Sequence, residues 1–429
     1  MDSVDLGSYP GVEGHERAAM LDAGDSLRAF SDRFVAPDAG LIYLDGNSLG
    51  RLPKATASHL RYVIDHEWGE RLIRSWPERW WDLADEIGGT IAPLIGAEPA
   101  EVIVADSTSV ALFKLTLAAL QARPNRARIV TDDLNFPTDA YATGSAADLA
   151  GSREIVVVPS RDGVHGPVDE IIATLDGDTA LLTLTHVAFK SGYRYDLQRL
   201  TRAAHDVGAL VLWDLSHSVG AVPVDLGGAA ADLAVGCTYK YLNGGPGSPA
   251  FLYVNARIDA ELQSPLNGWW GHERPFAFDL TYTPAPSMRR FQTGTMPIVS
   301  LAAVETGAAI TLEAGIENLY AKAVGLSEFF IELAETHLGA LGFQLASPRE
   351  AARRGSHVSL RHPDGWRIVR AMIEHGKIIP DFREPDNIRF GFAPLYTSYT
   401  DIHAAVARIV AIMSAGRHLG YDAQRGSVT

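Results

Sequence analysis

From about residue 100 to 255, short runs of aliphatic and β-branched residues alternate with stretches whose apolar residues recur at helical spacing. The runs are EVIVAD, RIVTDD, EIVVVP, TALLTLTHV, ALVLWDL, LAVGCT and PAFLYV. Between them SVALFKLTLAALQA, VDEIIATL and DLQRLTRAAHDVG read as helices, the last closed by a glycine. The runs lack strict polar alternation, which predicts a sheet buried on both faces by helices, an α/β fold. After about residue 300 the texture changes. A long amphipathic stretch, IENLYAKAVGLSEFFIELAETHLGALG, leads to HVSLRHPDGWRIVRAMIEHGKIIPDF and then to NIRFGFAPLYTSYTDIHAAVARIVAIMSAG. This second region reads as strand, helix, strand, loop, helix: a smaller α+β unit. The expected division is an N-terminal arm or part of the small domain at 1–45, a large domain at 46–300 and a small C-terminal domain at 301–429. No internal repeat or low-complexity tract interrupts it.

At 429 residues the chain exceeds one ordinary core, in keeping with two units. A net charge of −15 argues against a general nucleic-acid or anionic-membrane surface. The single cysteine, Cys237, excludes an intrachain disulfide and a multi-cysteine metal site. The acidic start, MDSVDLGSYPGVEGHERAAM, has no apolar signal segment, and no apolar run reaches bilayer length. A cytoplasmic protein is expected.

Ligands of open α/β sheets collect at the carboxyl ends of the strands, so the residues after each run are the candidates. EVIVAD is followed by Ser107, Thr108 and Ser109 at a helix start, where hydroxyls and free N–H groups suit a phosphate. RIVTDD leads to Phe136 and Asp139, ALVLW to Asp214 and His217, and LAVGC to Tyr239 and Lys240. Singly, each has an ordinary reading: helix caps, a core phenylalanine, a structural histidine, a lysine reaching solvent along its methylenes. Together they match the needs of pyridoxal phosphate, for which a lysine forms the Schiff base and a carboxylate keeps the ring nitrogen protonated. Walker, G-x-S-x-G and H-E-x-x-H signatures are absent, and His272 and His362 lack metal-ligand spacing, so no metal is expected.

The stretch LWDLSHSVGAVPVDLGGAAADLAVGCTYKYLNGGPGSPAFLYV resembles the lysine region of the kynureninases, fold-type-I pyridoxal-phosphate hydrolases of the class-V aminotransferase-like superfamily. YLDGNSLGRLP, EWGERLIRSW, NFPTDAYA, GWWGHERPFAFD, RFQTGTMPI and IRFGFAPLYTSYTD are similar to family blocks in family order, from roughly residue 40 to 410. The resemblance implies a mainly parallel seven-stranded sheet in the large domain and pyridoxal 5'-phosphate as cofactor. It implies Lys240 as the Schiff-base lysine and Tyr239 as a phosphate contact and acid/base participant. Asp214 would pair with the ring nitrogen beside His217, Thr108 and Ser109 would hold the phosphate, and Phe136 would stack on the ring. Asp139 and Thr185 would line the same pocket. Arg389 would grip the substrate α-carboxylate, with Ser48, Trp76, Trp270 and His272 on the substrate side. Trp269 and Thr295 would reach the cofactor of the neighbouring subunit, which implies a homodimer with active sites at its interface.

The implied activity is hydrolysis of L-kynurenine to anthranilate and L-alanine in tryptophan catabolism. Animal members carry a histidine in the segment matching Glu67 to Trp76 and an asparagine at the position of Thr295, features associated with the ring-hydroxylated substrate. This chain has Gly69 or Glu70, and Thr295, which favours plain L-kynurenine and leaves 3-hydroxy-L-kynurenine open. A modified kynurenine of secondary metabolism and a non-catalytic cofactor-binding dimer are the alternatives. A cysteine desulfurase needs a mobile cysteine after the lysine; here Cys237 precedes it inside a strand-like run.

Overall fold

The computed structural model describes residues 12–36 and 38–423; residues 1–11 of the arm expected at 1–45 lie outside the described residues. The chain enters through helix α1 (His15–Ala23) and the short strand β1 (Ile42–Tyr43), followed by helices α2 (Lys54–Tyr62) and α3 (Leu83–Ile91). Next come β2 (Val102–Val104), α4 (Thr108–Ala122), β3 (Arg128–Asp132), α5 (Pro137–Leu149), β4 (Glu154–Val158) and α6 (Val168–Thr174). They continue into β5 (Thr179–Thr185), α7 (Leu197–Asp206), β6 (Leu210–Asp214), β7 (Leu233–Gly236) and β8 (Phe251–Val254). All seven apolar runs are strands of one seven-stranded sheet, ordered β2-β8-β7-β6-β5-β3-β4. Strand β8 is antiparallel to β2 and β7; the remaining neighbours are parallel.

Strands β5 to β8 are buried along their whole length, which is why their sequences show no alternation. The edge strand β4 is exposed in part. Trp213 of β6 is fully buried, and a side chain of that size removed from water contributes roughly 2–3 kcal/mol. Because β8 is antiparallel to both neighbours, β2 runs in the same direction as β7. The carboxyl ends of β2, β3, β5, β6 and β7 therefore share one edge of the sheet, and that edge carries the candidate chemistry.

Two long helices, α8 (Ile298–Ala314) and α9 (Ile316–His337), lead to β9 (Gln344–Leu345), β10 (His357–Arg361), α10 (Gly365–Gly376) and β11 (Ile378–Ile379). The chain ends with β12 (Asp381–Arg383), β13 (Asn387–Gly391) and α11 (Tyr399–Ser414). Strands β12-β13-β10-β9 form an antiparallel sheet with its own apolar core, shared with α9, α10 and α11. The N-terminal segment joins this part: β1 pairs in parallel with β11, and Asp22 of α1 accepts from the N–H groups of Tyr399 and Thr400 at the start of α11. Those N–H groups have no partner inside their own helix, so the carboxylate caps them and meets the positive end of the helix dipole.

Two regions escaped the periodic reading. Helix α8 carries apolar residues all round, Val299, Ala309 and Leu312 on its exposed side included, so its period leaves no polar stripe. Between α2 and α3 the backbone winds as π-helix over Val63–Arg71 and again over Trp76–Trp80. Glu67 is buried there, accepting from the Trp80 indole at 2.6 Å, while its carbonyl accepts from the Ser75 hydroxyl at 2.6 Å. These tertiary contacts hold a winding that local propensity disfavours. Among the described residues no single helix is long and apolar enough to cross a membrane; α8 and α9 would pass only as a pair bent by 82°.

Candidate active site

At the carboxyl edge of the large sheet lies a cavity of about 330 Å³. Its wall is built from Ser48, Ser107, Thr108, Ser109, Phe136, Asp139, Asp214, His217, Tyr239, Lys240 and Arg389, together with Thr138, Ser216, Gly247, Ser248 and Arg383.

One end is an anion cradle. Ser107 caps α4, its hydroxyl accepting from the Val110 N–H at 3.5 Å, so the first-turn N–H groups face the cavity with Thr108 and Ser109. The Ser109 and Thr138 hydroxyls lie 2.7 Å apart. The turn into the cradle passes through Asp106 at φ 53, a left-handed conformation for a residue with a side chain. Its carboxylate is paired at 2.5 Å with Lys114 Nζ, a fully buried lysine that also donates to the Phe291 carbonyl at 2.7 Å.

The floor holds two carboxyls. Asp214, at the end of β6, accepts on Oδ1 from the Ser216 N–H (2.9 Å) and hydroxyl (2.6 Å). Asp139, in the first turn of α5, is buried with Oδ1 unpartnered. Burial pushes Asp214 up, against the Ser216 hydrogen bond and the nearby Lys240 charge. Burial pushes Asp139 up as well, and the neighbouring Asp214 charge adds to it. Two acids sharing one dry floor suit a positively charged group between them.

Lys240 follows β7, in the turn that precedes the glycines. Its Nζ lies 3.0 Å from His217 Nε2. Burial, with the Lys240 charge adding to it, holds His217 well below the usual histidine range, so the ring is neutral and Nε2 accepts from the amine. The proton then sits on Nδ1, which is buried without a partner. Partial burial pushes the Tyr239 phenol up, so it keeps its proton through neutral pH. The lysine backbone is clamped from the N-terminal segment: the Gly50 N–H donates to the Tyr239 carbonyl at 2.8 Å. A Cβ on Gly50 would lie 2.3 Å from the Lys240 carbonyl oxygen, so only glycine fits.

The far end is Arg389 of β13, 2% exposed. Its Nε donates to Asp381 at 3.0 and 3.2 Å, and Nη2 donates to Asp381 and to the Ser48 hydroxyl (2.9 Å). Nη1 donates to the Phe189 carbonyl at 2.5 Å, and with its amide turned Asn47 accepts from Nε at 2.8 Å. Asp381 is pulled down to about 2; burial opposes this, and the Arg389 charge and hydrogen bonds outweigh it. Behind both basic groups sits His357 of β10, fully buried with neither ring nitrogen partnered and its ring 5.7 Å from that of His217. Burial, with Arg389 adding, pushes it down to about 3.

The remaining candidates lie outside this cavity. Thr185 stands beside Asp214 in the sheet, its hydroxyl donating to the Val187 carbonyl at 3.0 Å. Trp76 and Trp270 pack edge to face in an aromatic stack with Trp80 and Trp81. Trp269 and His272 line a separate surface groove with Phe278 and Tyr282, and Thr295 is exposed. Asp381 and Lys114 were not singled out in the sequence. Asp381 is the cross-strand partner of Arg389, on the same face of the sheet, a register that the sequence does not mark.

The donor set fits pyridoxal phosphate. The helix-start cradle takes a phosphate, the unpartnered Asp139 oxygen and Asp214 take a ring cation, Phe136 offers a half-exposed ring, and Lys240 an amine. Among solved structures, an apo cysteine desulfurase from Thermococcus onnurineus NA1 superimposes with a TM-score of 0.75 at 18% identity, covering 87% of this chain and 95% of that one. A C-DES variant with glycine covalently linked to its PLP cofactor gives 0.75 at 19% identity, covering 87% and 99%. At such identities the likeness concerns the fold, a fold-type-I α/β architecture. Cys237 directly follows β7 and is buried, with its thiol against the Ser216 carbonyl at 3.8 Å. A family model described as the kynureninase C-terminal domain matches residues 319–409. A kynureninase from Pseudomonas fluorescens is 46% identical over 391 residues, 90% of this chain and 92% of that protein. With nearly half of its residues identical to that relative over nine-tenths of its length, the chain belongs to the kynureninase family.

Proposed function

We propose that the chain is a pyridoxal-phosphate-dependent hydrolase that cleaves the Cβ–Cγ bond of L-kynurenine to give anthranilate and L-alanine. The observation that carries this reading is one cavity joining an anion cradle, a lysine over two buried acids, and an arginine with a hydroxyl beside it.

Thr108, Ser109 and the first-turn N–H groups of α4 hold the phosphate, Phe136 covers the ring, and Asp214 with Asp139 keeps its nitrogen protonated. When bound, the cofactor supplies an electron sink for the carbanion that forms at the substrate Cα. Arg389 and Ser48 orient the α-carboxylate, which points the Cα proton at Lys240. The amine of Lys240 anchors the cofactor and afterwards takes that proton; the neutral His217 beside it accepts a hydrogen bond without competing for positive charge. Tyr239 still carries its phenolic proton at neutral pH and serves as the donor at Cβ.

Trp269 and Thr295 are assigned to the neighbouring active site, and Trp76, Trp270 and His272 to the aryl end of the substrate. A homodimer is supported by exposed large apolar side chains: Trp68, Leu72, Ile73, Trp269, Phe276, Phe278 and Leu280. Two apolar cores, one of the large sheet and one of the small sheet, support a large and a small unit joined by the N-terminal segment; Leu301, Val304 and Ala308 pack in the first core, which favours a boundary beyond α8 over the expected one at 300. The single reduced cysteine suits a cytoplasmic enzyme. Thr295, and the absence of histidine between Glu67 and Trp76, support plain L-kynurenine over its 3-hydroxy form.

The test is anthranilate fluorescence on adding L-kynurenine, with 3-hydroxy-L-kynurenine in parallel and Lys240→Ala as control. Wild type should release anthranilate faster than it turns over the hydroxylated substrate. Release by the alanine variant at the wild-type rate would overturn the scheme.

A further inference from the structure

Ser216 lines the cavity but has so far entered only as a neighbour of Asp214. Among the described residues, the hydrogen bonds to the Asp214 carboxylate come from Ser216 and fall on Oδ1, the N–H at 2.9 Å and the hydroxyl at 2.6 Å. The direction of that hydroxyl is set from its other side. Ser216 Oγ also meets the N–H of Cys237, at 3.2 Å, and an amide N–H can only donate. The serine oxygen therefore accepts from Cys237. In the arrangement that leaves no donor idle, its own hydrogen points at Asp214, and Oδ1 carries no proton. The serine is itself buried.

The same hydroxyl joins the two strand ends that carry the chemistry. Asp214 ends β6, and Cys237 opens the turn after β7 that leads to Tyr239 and Lys240. The Cys237 thiol against the Ser216 carbonyl, at 3.8 Å, is a second stitch between the same two residues. On the neighbouring acid, Asp139, Oδ1 is buried without a partner. Donors to a carboxylate favour its charged form, and burial without donors favours the neutral one. The two acids of the floor are therefore unequal, and Ser216 makes them so. Burial pushes Asp214 up, and the Ser216 hydroxyl is the largest influence against it.

We propose that Ser216 is a positioning residue for the cofactor: its hydroxyl keeps the negative charge on Asp214, with Oδ2 left to meet the protonated ring nitrogen of pyridoxal phosphate. This rests on the reading of Asp214 as the ring-nitrogen partner and deepens it. Without the hydroxyl, one donor remains on Oδ1, and the proton between the carboxyl and the ring nitrogen moves toward the carboxyl. Loss of a hydrogen bond to a charged group changes an equilibrium by about tenfold or more. The preference for pyridoxal phosphate over its carbon analogue, with C–H in place of the ring nitrogen, should shrink by about that factor in Ser216→Ala.

The experiment is spectrophotometric titration of apoenzyme with pyridoxal phosphate and with the carbon analogue, for wild type, Ser216→Ala and Asp214→Asn. A general loosening of the site, including that from a Cys237 N–H without its acceptor, weakens both ligands alike and leaves their ratio unchanged. Loss of charge at Asp214 weakens pyridoxal phosphate alone and lowers the ratio. A wild-type ratio in Ser216→Ala would overturn the proposal, however far both affinities fall. Asp214→Asn separates the two readings: if it keeps the whole wild-type preference, Asp214 is not the ring-nitrogen partner. If it loses the preference while Ser216→Ala keeps it, only the role of the serine is wrong. Ser216→Cys, whose thiol is a weak donor, gives the same comparison if the alanine variant misfolds.

Discussion

Replacing Lys114 with methionine should loosen the cofactor far more than it loosens the fold. The side chain is fully buried, and its ammonium has two partners, the Asp106 carboxylate at 2.5 Å and the Phe291 carbonyl at 2.7 Å. Methionine fills a similar volume, so cavity cost is small. Asp106 is a quarter exposed and regains water, whereas the Phe291 carbonyl loses a charged donor. A hydrogen bond to a charged group contributes about 1.5–3 kcal/mol. Most of that loss falls on the turn through Asp106, whose left-handed backbone aims Ser107, Thr108 and Ser109. A cradle that must be reordered on binding weakens it by that amount, roughly 10- to 150-fold in cofactor affinity. The assay is spectrophotometric titration of apoenzyme with pyridoxal phosphate, beside thermal unfolding of the cofactor-free protein. A variant that holds the cofactor as tightly as wild type while melting several degrees lower would refute the coupling between Lys114 and the cradle.

Arg389→Lys keeps the charge and loses the fork that binds Asp381 through Nε and Nη2. KM for L-kynurenine should rise about 10- to 100-fold with kcat changed much less; a fall in kcat alone would contradict a role in carboxylate binding. His186 and His357 are buried, and burial holds each at about 3, below the unfolded value near 6.5. The unfolded chain therefore binds more protons between those values, and stability should fall with pH from about 6.5 toward 3. Each ring adds a limiting slope of about 1.4 kcal/mol per pH unit. His357→Gln should remove one ring's share in urea midpoints measured from pH 7 to 5; an unchanged slope would show that His357 is not held neutral by the fold. Asp381 acts at more acid pH. Its value is lowered to about 2, so the stability from its pairing with Arg389 is complete above about 4 and is lost as pH falls through 2.

Much of this was legible in the residues because the site uses strand ends. Runs buried on both faces announce themselves as unbroken apolar stretches, and the residues at their carboxyl ends form the catalytic edge. Thr108, Asp214 and Lys240 were found that way, and each lines the cavity. The features that stayed hidden depend on pairing that the fold sets. Asp381 meets Arg389 only through the register of two antiparallel strands, and Lys114 meets Phe291 across the large domain's core. Helix α8 carries no polar face to mark its period. The π-helical winding around Glu67 is set by the Trp80 indole and the Ser75 hydroxyl, whose placement comes from the fold and not from local preference. Trp76, Trp270, Trp269, His272 and Thr295 were reached through resemblance to known sequences alone. In the chain their surroundings are an aromatic stack, a groove and open surface.

The tight approach at Gly50 has an evolutionary face. Gly50 is not among the residues that line the cavity; it stands behind them, against the carbonyl of Lys240. Alanine there would push the lysine's own peptide by about an ångström, and reaction geometry tolerates less than that. A selection for activity from random libraries would thus mark position 50 almost as sharply as position 240. An engineer widening this pocket would have to treat a bare hydrogen atom as part of the active site.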